Sequence, residues 1–300
     1  MSEGDGAAAA PLMGIAEFEP FVDGLDHPEC VACGPNGEIY AGGEAGQIYR
    51  VSLTGEVAQI GTTGGFVLGV CLDGDRNVYA CDSAHHAVMR VAPDGSASTY
   101  SAGAPQRPMV TPNYLVFDAA GNLYVSESGS WQGNDGCVFR VRPGGATEVL
   151  SERLSAFPNG MALDAADRYL YVVLSNLPGV ARIDLAAGAE PEPQEVVRLE
   201  RTVPDGLAFD AAGNLYIACY TPDIIYRLAP DGTLATLVDD WTGTILATPT
   251  NVAFCGPELR TLVVASLSRW HLTRTRMAIP GQLLRFPRLG AAANEEASAR

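Results

Sequence analysis

The sequence predicts an all-β protein, a six-bladed β-propeller of four-stranded antiparallel blades whose ring is closed by a strand from the N-terminus. Three observations carry this reading: a unit of about 45 residues recurs along the chain, each unit alternates short apolar runs with turn residues, and 33 Gly and 20 Pro in 300 residues demand frequent turns. Residues 203–218 (VPDGLAFDAAGNLYIA), 111–126 (TPNYLVFDAAGNLYVS) and 157–173 (FPNGMALDAADRYLYVV) are copies of one another. Weaker copies at 27–41 (HPECVACGPNGEIYA), 66–80 (FVLGVCLDGDRNVYA) and 249–265 (PTNVAFCGPELRTLVVA) bring the number to six. Tyr40, Tyr79, Tyr124, Tyr171 and Tyr216 anchor the register, with Leu262 in the equivalent place of the last copy, at separations of 39 to 47 residues.

The elements are plainest in the fifth copy. A first strand from Leu207 to Phe209 leads into the turn Asp210–Asn214, and a second strand runs from Leu215 to Cys219. After a loop, Ile224 to Leu228 forms a third, Pro230-Asp231-Gly232 turns the chain, and Leu234 to Val238 forms a fourth. Four antiparallel strands in this length make one propeller blade. Ring closure needs one more strand, because after Gln282–Phe286 the sequence holds no further strand pattern. Ala16–Val22 precedes the first copy and supplies the outer strand of blade six. The expected organisation is a flexible tail at 1–15, a propeller at 16–288 and a second flexible tail at 289–300.

Apolar residues make up 47% of the chain and charged ones 18%, enough for a large core and against a disordered chain. The 19 basic residues are all arginine, against 35 acids, for a net charge of −16. A chain without lysine is excluded from Schiff-base chemistry, a pyridoxal-phosphate site and a lysine-bearing phosphate loop. Its negative field repels phosphate backbones, so cations rather than nucleic acid are the expected partners. No apolar stretch approaches the roughly 20 residues of a membrane span, and no basic start with an apolar run and cleavage site opens the chain, so the reading is cytoplasmic with no membrane partner. Seven cysteines fit that compartment. Cys30 and Cys33 form a C-x-x-C, but on a strand residues three apart face opposite ways, so both are read as small buried hydrophobes along with Cys71, Cys81 and Cys219.

In a propeller the innermost strands line the central channel, so one repeat position makes a ring around the axis. Eleven residues before each anchor stand Glu29, Leu68, Asn113, Asp205 and Asn251, and Asn159 takes that place in the fourth copy, whose turn is one residue longer. Five of six blades thus offer a carboxylate or carboxamide where a core strand favours an apolar residue. Singly, P-N-G and P-D-G are ordinary turn sequences. Together they form an all-oxygen set with two carboxylates and no His or Cys, which suits Ca2+ better than Zn2+.

With these residues in view, the chain resembles the senescence-marker-protein/gluconolactonase family of six-bladed calcium-dependent hydrolases, over about residues 16–286. The most specific pieces are FPNGMALDAADRYLYVV, VPDGLAFDAAGNLYIA and PTNVAF…LRTLVVAS. The resemblance implies that Glu29, Asn159 and Asp205 bind the metal, that Asn113 lies beside it or touches substrate, and that Asn251 is a pocket residue. The cofactor implied is one divalent cation, Ca2+ first, with Zn2+, Mn2+ or Mg2+ as alternatives. Thr111 stands where animal aldonolactonases of this family carry an Arg that grips sugar hydroxyls, which points away from a sugar acid lactone. Strictosidine-synthase-like propellers lack this metal set, and Glu29, Asn159 and Asp205 argue against that neighbouring group.

The mechanism implied is a metal that polarises a carbonyl or phosphoryl oxygen and acidifies an attacking water, with Asp205 as nucleophile or water-orienting carboxylate. Loops between second and third strands surround the same mouth as the ring. They hold His85 and His86 in blade two and His271 in a long sixth-blade loop, while His27 lies just before Glu29; an imidazole at the mouth moves protons near neutral pH. His86, His271 and Trp131 are therefore candidate substrate contacts beside Asn113 and Asn251, with Trp131 and Trp270 as pocket walls. The leading function is metal-dependent hydrolysis of a small cyclic ester. The alternatives are a phosphotriesterase on the same metal, or a non-catalytic propeller that binds a ligand or protein. The sequence leaves the oligomeric state open.

Overall fold

The computed structural model describes residues 10–188 and 190–289. It contains six four-stranded antiparallel sheets set around one axis, and its helical content among the described residues is one three-residue 3-10 turn at Ile15–Glu17. The innermost strands of the six blades are Val31–Cys33, Val67–Leu72, Pro112–Phe117, Pro158–Leu163, Val203–Phe209 and Pro249–Cys255. Each packs against the innermost strands of its two neighbours, and Val31–Cys33 meets Pro249–Cys255, which closes the circle. The predicted six-bladed all-β fold is the fold of the protein.

The repeat FDAAGNLY has a local cause. Asp73, Asp118 and Asp210 end the inner strands, and in each case one carboxylate oxygen accepts the backbone N–H of the Asn four residues on, at 2.9 Å. The other oxygen accepts that Asn side chain and the hydroxyl of the anchor tyrosine, Tyr79, Tyr124 or Tyr216. The tyrosine is thus a buried ring whose polar end closes the turn, so the Asp, Asn and Tyr recur together.

Alternation along the strands divides the core. Six hydrophobic clusters occur, one at each boundary between blades. Val263 packs toward blade one while Val264, the next residue, packs toward blade five, as the two-residue period of a strand requires. Cys30 and Cys33 likewise fall into different clusters, and all seven cysteines are free thiols. Burial pushes the Cys30 thiol up to about 12. Among the described residues no helix is long and apolar enough to cross a membrane.

The outer strand of blade six is Glu19–Val22, antiparallel to His271–Arg276, with Glu19 opposite Arg274 and Val22 opposite Leu272. Arg274 Nε donates to Glu19 Oε1 at 2.8 Å and its guanidinium lies 4.7 Å from the centre of the Phe21 ring. The closing strand is shorter than Ala16–Val22 because the chain turns at Ile15–Glu17. Part of the expected N-terminal tail is docked: the N–H groups of Leu12 and Met13 donate to the carbonyls of Thr236 and Leu237 on blade five. Residues 1–9 and 290–300 of the two expected tails lie outside the described residues.

Gln282–Phe286 is not a strand. His271–Arg276 already occupies the third place in blade six, and the later segment instead crosses the channel on the face opposite the mouth. Gln282 Nε2 donates to the Leu163 carbonyl, Arg285 Nε reaches both Asp167 oxygens at 3.1 and 2.9 Å, and the Pro287 carbonyl accepts from Gly74 N–H. Its apolar residues read as a strand because Phe286 packs into the cluster between blades one and two. Between this strap and the inner strands lies a cavity of about 100 Å3 with a mainly apolar lining.

Candidate active site

The site is built where the six inner strands begin. Asn113, Asn159, Asp205 and Asn251 are all buried there, and Glu29, just ahead of its strand, keeps part of its surface toward the mouth. Leu68 is the apolar member of the ring. The strands converge so closely that side chains are excluded next to the ring: a Cβ on Gly160 would lie 2.3 Å from the Asp205 carbonyl oxygen, and one on Gly206 would lie 2.6 Å from Asn251 Nδ2. P-N-G and P-D-G therefore run inside inner strands rather than forming turns, and their glycines permit backbone contact between neighbouring blades.

Glu29 and Asp205 face each other electrostatically. Burial, followed by the charge of Glu44, raises the Glu29 carboxyl to about 7. Burial, followed by the charge of Glu29, holds Asp205 well above the usual carboxylate range, and only the neighbouring Asn159 carboxamide opposes this. Asn159 Nδ2 donates to Ser175 Oγ at 3.3 Å, and Ser175 Oγ in turn donates to the Pro204 carbonyl at 2.8 Å, so the carboxamide is oriented from behind. On the far side, the Asn251 carboxamide lies near the Tyr114 phenol, and Asn251 Oδ1 is buried without a partner.

These features fit a hard divalent cation. Two buried carboxylates repel each other, and a carboxamide oxygen lacks a donor; a cation answers both. A separate group, Asp26, His27 and Glu44, brings three ligand-type atoms within 4.8 Å of one another at the rim. His27 Nδ1 lies 2.5 Å from Glu44 Oε2, and its ring sits 4.3 Å from that of Trp270.

The remaining predicted residues are more scattered. Trp131 stands half-exposed at the mouth, edge-on to Phe157 with ring centres 4.8 Å apart. His86 is exposed, its Nδ1 2.5 Å from the Val110 carbonyl, and neighbouring His85 is held by Asp82 at 2.9 Å. His271 is not in a loop: it opens the strand His271–Arg276, is 3% exposed, and its Nε2 faces the Ile245 carbonyl at 2.8 Å. A ring committed to backbone there is withdrawn from the mouth.

Sequence reasoning missed Tyr114 and Ser175, and it left Glu127 open as a mouth acid or a solvated loop carboxylate; Glu127 in fact ends the strand Leu123–Glu127. Glu127 is fully buried and its carboxylate accepts the N–H groups of Val110 and Thr111 at 2.9 and 2.6 Å, fixing the approach to Asn113. A signal existed for Ser175. Four residues after each anchor stand Glu44, Ser83, Ser128, Ser175, Tyr220 and Ser266, and the four serines each donate to a carbonyl near the start of an inner strand.

Fold and site together define a six-bladed propeller with an oxygen-lined channel mouth and a covered far end. The chain belongs to the SMP-30/gluconolactonase/LRE-like family, whose model matches residues 39–268. A second model, strictosidine synthase-like N-terminal, matches only residues 22–51. The 6-deoxy-6-sulfogluconolactonase of Pseudomonas putida is 36% identical over 94 residues, which are 26% of this chain and 30% of that enzyme. The match therefore spans less than a third of that relative. Among solved structures, a gluconolactonase from Xanthomonas campestris superimposes with a TM-score of 0.74 at 17% identity, covering 88% of this chain and 89% of that one. The calcium-binding protein regucalcin from Agrobacterium tumefaciens gives 0.71 at 15% identity, covering 93% and 99%. A virginiamycin B lyase from Staphylococcus aureus gives 0.61 at 15%, covering 82% and 78%, so the fold is shared by proteins named for different reactions.

Proposed function

We propose that this protein is a calcium-dependent hydrolase of a small cyclic ester, with the cation in the channel mouth on Glu29, Asn159 and Asp205. The observation that carries the reading is the buried Glu29–Asp205 pair, flanked by Asn159, at the open end of a channel whose other end is covered. Family membership supports the reading, as do the names of the Pseudomonas lactonase and the Agrobacterium calcium-binding protein.

When bound, the cation supplies Lewis acidity toward a carbonyl oxygen and lowers the pKa of water. The chain's own residues supply the rest. Asp205, oriented by Asn159, aligns the attacking water or attacks the acyl carbon itself, and Ser175 keeps Asn159 from turning away. Asn113 and Asn251 border the same space from blades three and six and present carboxamides to the ring oxygen or hydroxyls of a substrate. His86 and Trp131 stand at the rim as substrate contacts. His271, held by the Ile245 carbonyl, contributes packing instead.

The test is proton release from a panel of lactones by chelator-stripped protein with Ca2+, Mg2+, Mn2+ or Zn2+ added back. Activity restored by Ca2+ and lost in Asp205→Ala, with the β-rich circular dichroism spectrum retained, is the expected result. Undiminished hydrolysis by Asp205→Ala would remove the site from this account.

A further inference from the structure

The positions two residues before the ring form a second tier at the start of the inner strands. They are His27, Phe66, Thr111, Phe157, Val203 and Pro249. Four of the six are apolar and none is an arginine. Apart from buried Pro249, each is half-buried and keeps some surface in water.

Tryptophans extend this tier outward. Trp131 meets Phe157 edge-on at 4.8 Å and is 52% exposed, while Trp270 leans on His27 at 4.3 Å and is 44% exposed. Val110, next to Thr111, is 54% exposed, and its N–H is fixed by Glu127. Phe157 and Trp270 both have positive φ, 56° and 57°, a conformation that costs energy for a bulky residue. Two large aromatic side chains are thus kept on strained backbone at the edge of a polar site, with much apolar surface left in water.

Large exposed aromatic surface beside a pocket is retained where a ligand covers it. A polyhydroxylated sugar lactone stacks only its C–H face on Phe157 or Trp131, and the hydroxyls it turns toward these rings lose hydrogen bonds to water, whereas a hydrocarbon chain loses none. A lactone with a hydrocarbon substituent places its ester at the carboxylate ring and its chain against the second tier. We infer that the preferred substrates are lactones bearing an alkyl or aryl side chain, and that Phe66, Phe157 and Trp131 determine this preference. The inference rests on the lactonase reading above and adds the substrate class to it.

The experiment measures kcat/KM of the calcium-loaded protein for glucono-δ-lactone and for δ-lactones with n-alkyl chains of increasing length. Each methylene that becomes buried is expected to raise kcat/KM by about fourfold until the rim is filled. In Trp131→Ala, whose half-exposed side chain is not needed for folding, and in Phe157→Leu, the gain per methylene should drop below about twofold. A flat chain-length series, a preference for glucono-δ-lactone, or a slope unmoved by either substitution overturns the inference while leaving the lactonase reading intact. No turnover of either series overturns the lactonase reading itself and this inference with it.

Discussion

The phenol of Tyr114 and the carboxamide of Asn251 meet across the channel, from blade three to blade six on the opposite side of the ring. Asn251 Oδ1 itself is buried and has no hydrogen-bond partner. The pair forms a floor. Above it are the carboxylates and carboxamides; below it Tyr114 lines the apolar cavity that the strap closes. The amide oxygen is left free for the site, and burial keeps the phenol protonated by raising its pKa.

Calcium affinity should depend on this floor. Asn251→Ala removes the unpaired oxygen, and Tyr114→Phe removes the group that orients it. Each is expected to weaken Ca2+ binding on the order of 10-fold, the scale of losses on removing groups that orient metal ligands. Calorimetric titration of the stripped proteins with CaCl2 measures it, and equal affinities in all three proteins would make the floor purely a packing feature.

The metal-free protein should lose stability as pH rises. Glu29, ordinarily near 4.5, titrates at about 7 in the fold, so the folded state holds its proton more tightly than the unfolded chain. The stabilising contribution is complete below about 4.5 and is lost as pH rises through 7; Asp205, shifted the same way, extends the loss further upward. Thermal melts in chelator should fall by several degrees between pH 5 and 8, and Glu29→Gln should flatten the curve. With Ca2+ present the dependence should reverse, because the cation competes with those protons. A chelated protein equally stable at both pH values would contradict the raised carboxyl.

The blades were legible in the sequence because every copy repeats the same turn chemistry; Asp210, Asn214 and Tyr216 recur as a unit since each completes the hydrogen bonds of the others. The oxygen ring was legible as a register position. What escaped were residues whose role depends on contacts across the ring. Tyr114 follows an expected site residue on a strand, where alternation assigns it to the core, yet its hydroxyl reaches blade six. Gln282–Phe286 has the composition of a strand, and only the occupied third and fourth places of blade six send it beneath the channel. The long sixth-blade loop expected around His271 is only the four-residue turn Leu267–Trp270, so the strand starts at His271.

The strap should contribute stability from outside the blades. Arg285 holds Asp167 through Nε and donates to the Ala165 carbonyl at 2.6 Å through Nη2. Both groups of the ion pair are largely shielded, so Arg285→Ala is expected to cost about 1–2 kcal/mol, more than a typical surface pair. For a domain of this size that is a fall of a few degrees in melting temperature. Lactone kinetics at 25 °C should be unchanged, since the strap covers the end of the channel remote from the mouth; a large change in KM would mean that substrate reaches the lower cavity.

Glycines at the ring should resist replacement because they set the spacing of the blades at the site. At Gly206 a methyl group would lie 2.7 Å from both the Thr250 carbonyl oxygen and the Asn251 Cα, backbone atoms that cannot swing aside. Gly206→Ala must therefore push blades five and six apart, at a cost of about 1–3 kcal/mol, and carry Asp205 away from Asn159. Gly14→Ala is the control: its φ is −78° and the nearest atom to its Cβ, Glu17 Oε1, is 3.9 Å away, so it should be neutral or slightly stabilising. The two variants compared by thermal melting and by CaCl2 titration should separate clearly, with Ca2+ affinity reduced only in Gly206→Ala. If Gly206→Ala bound Ca2+ like the parent, close approach of the inner strands would not be what assembles the site.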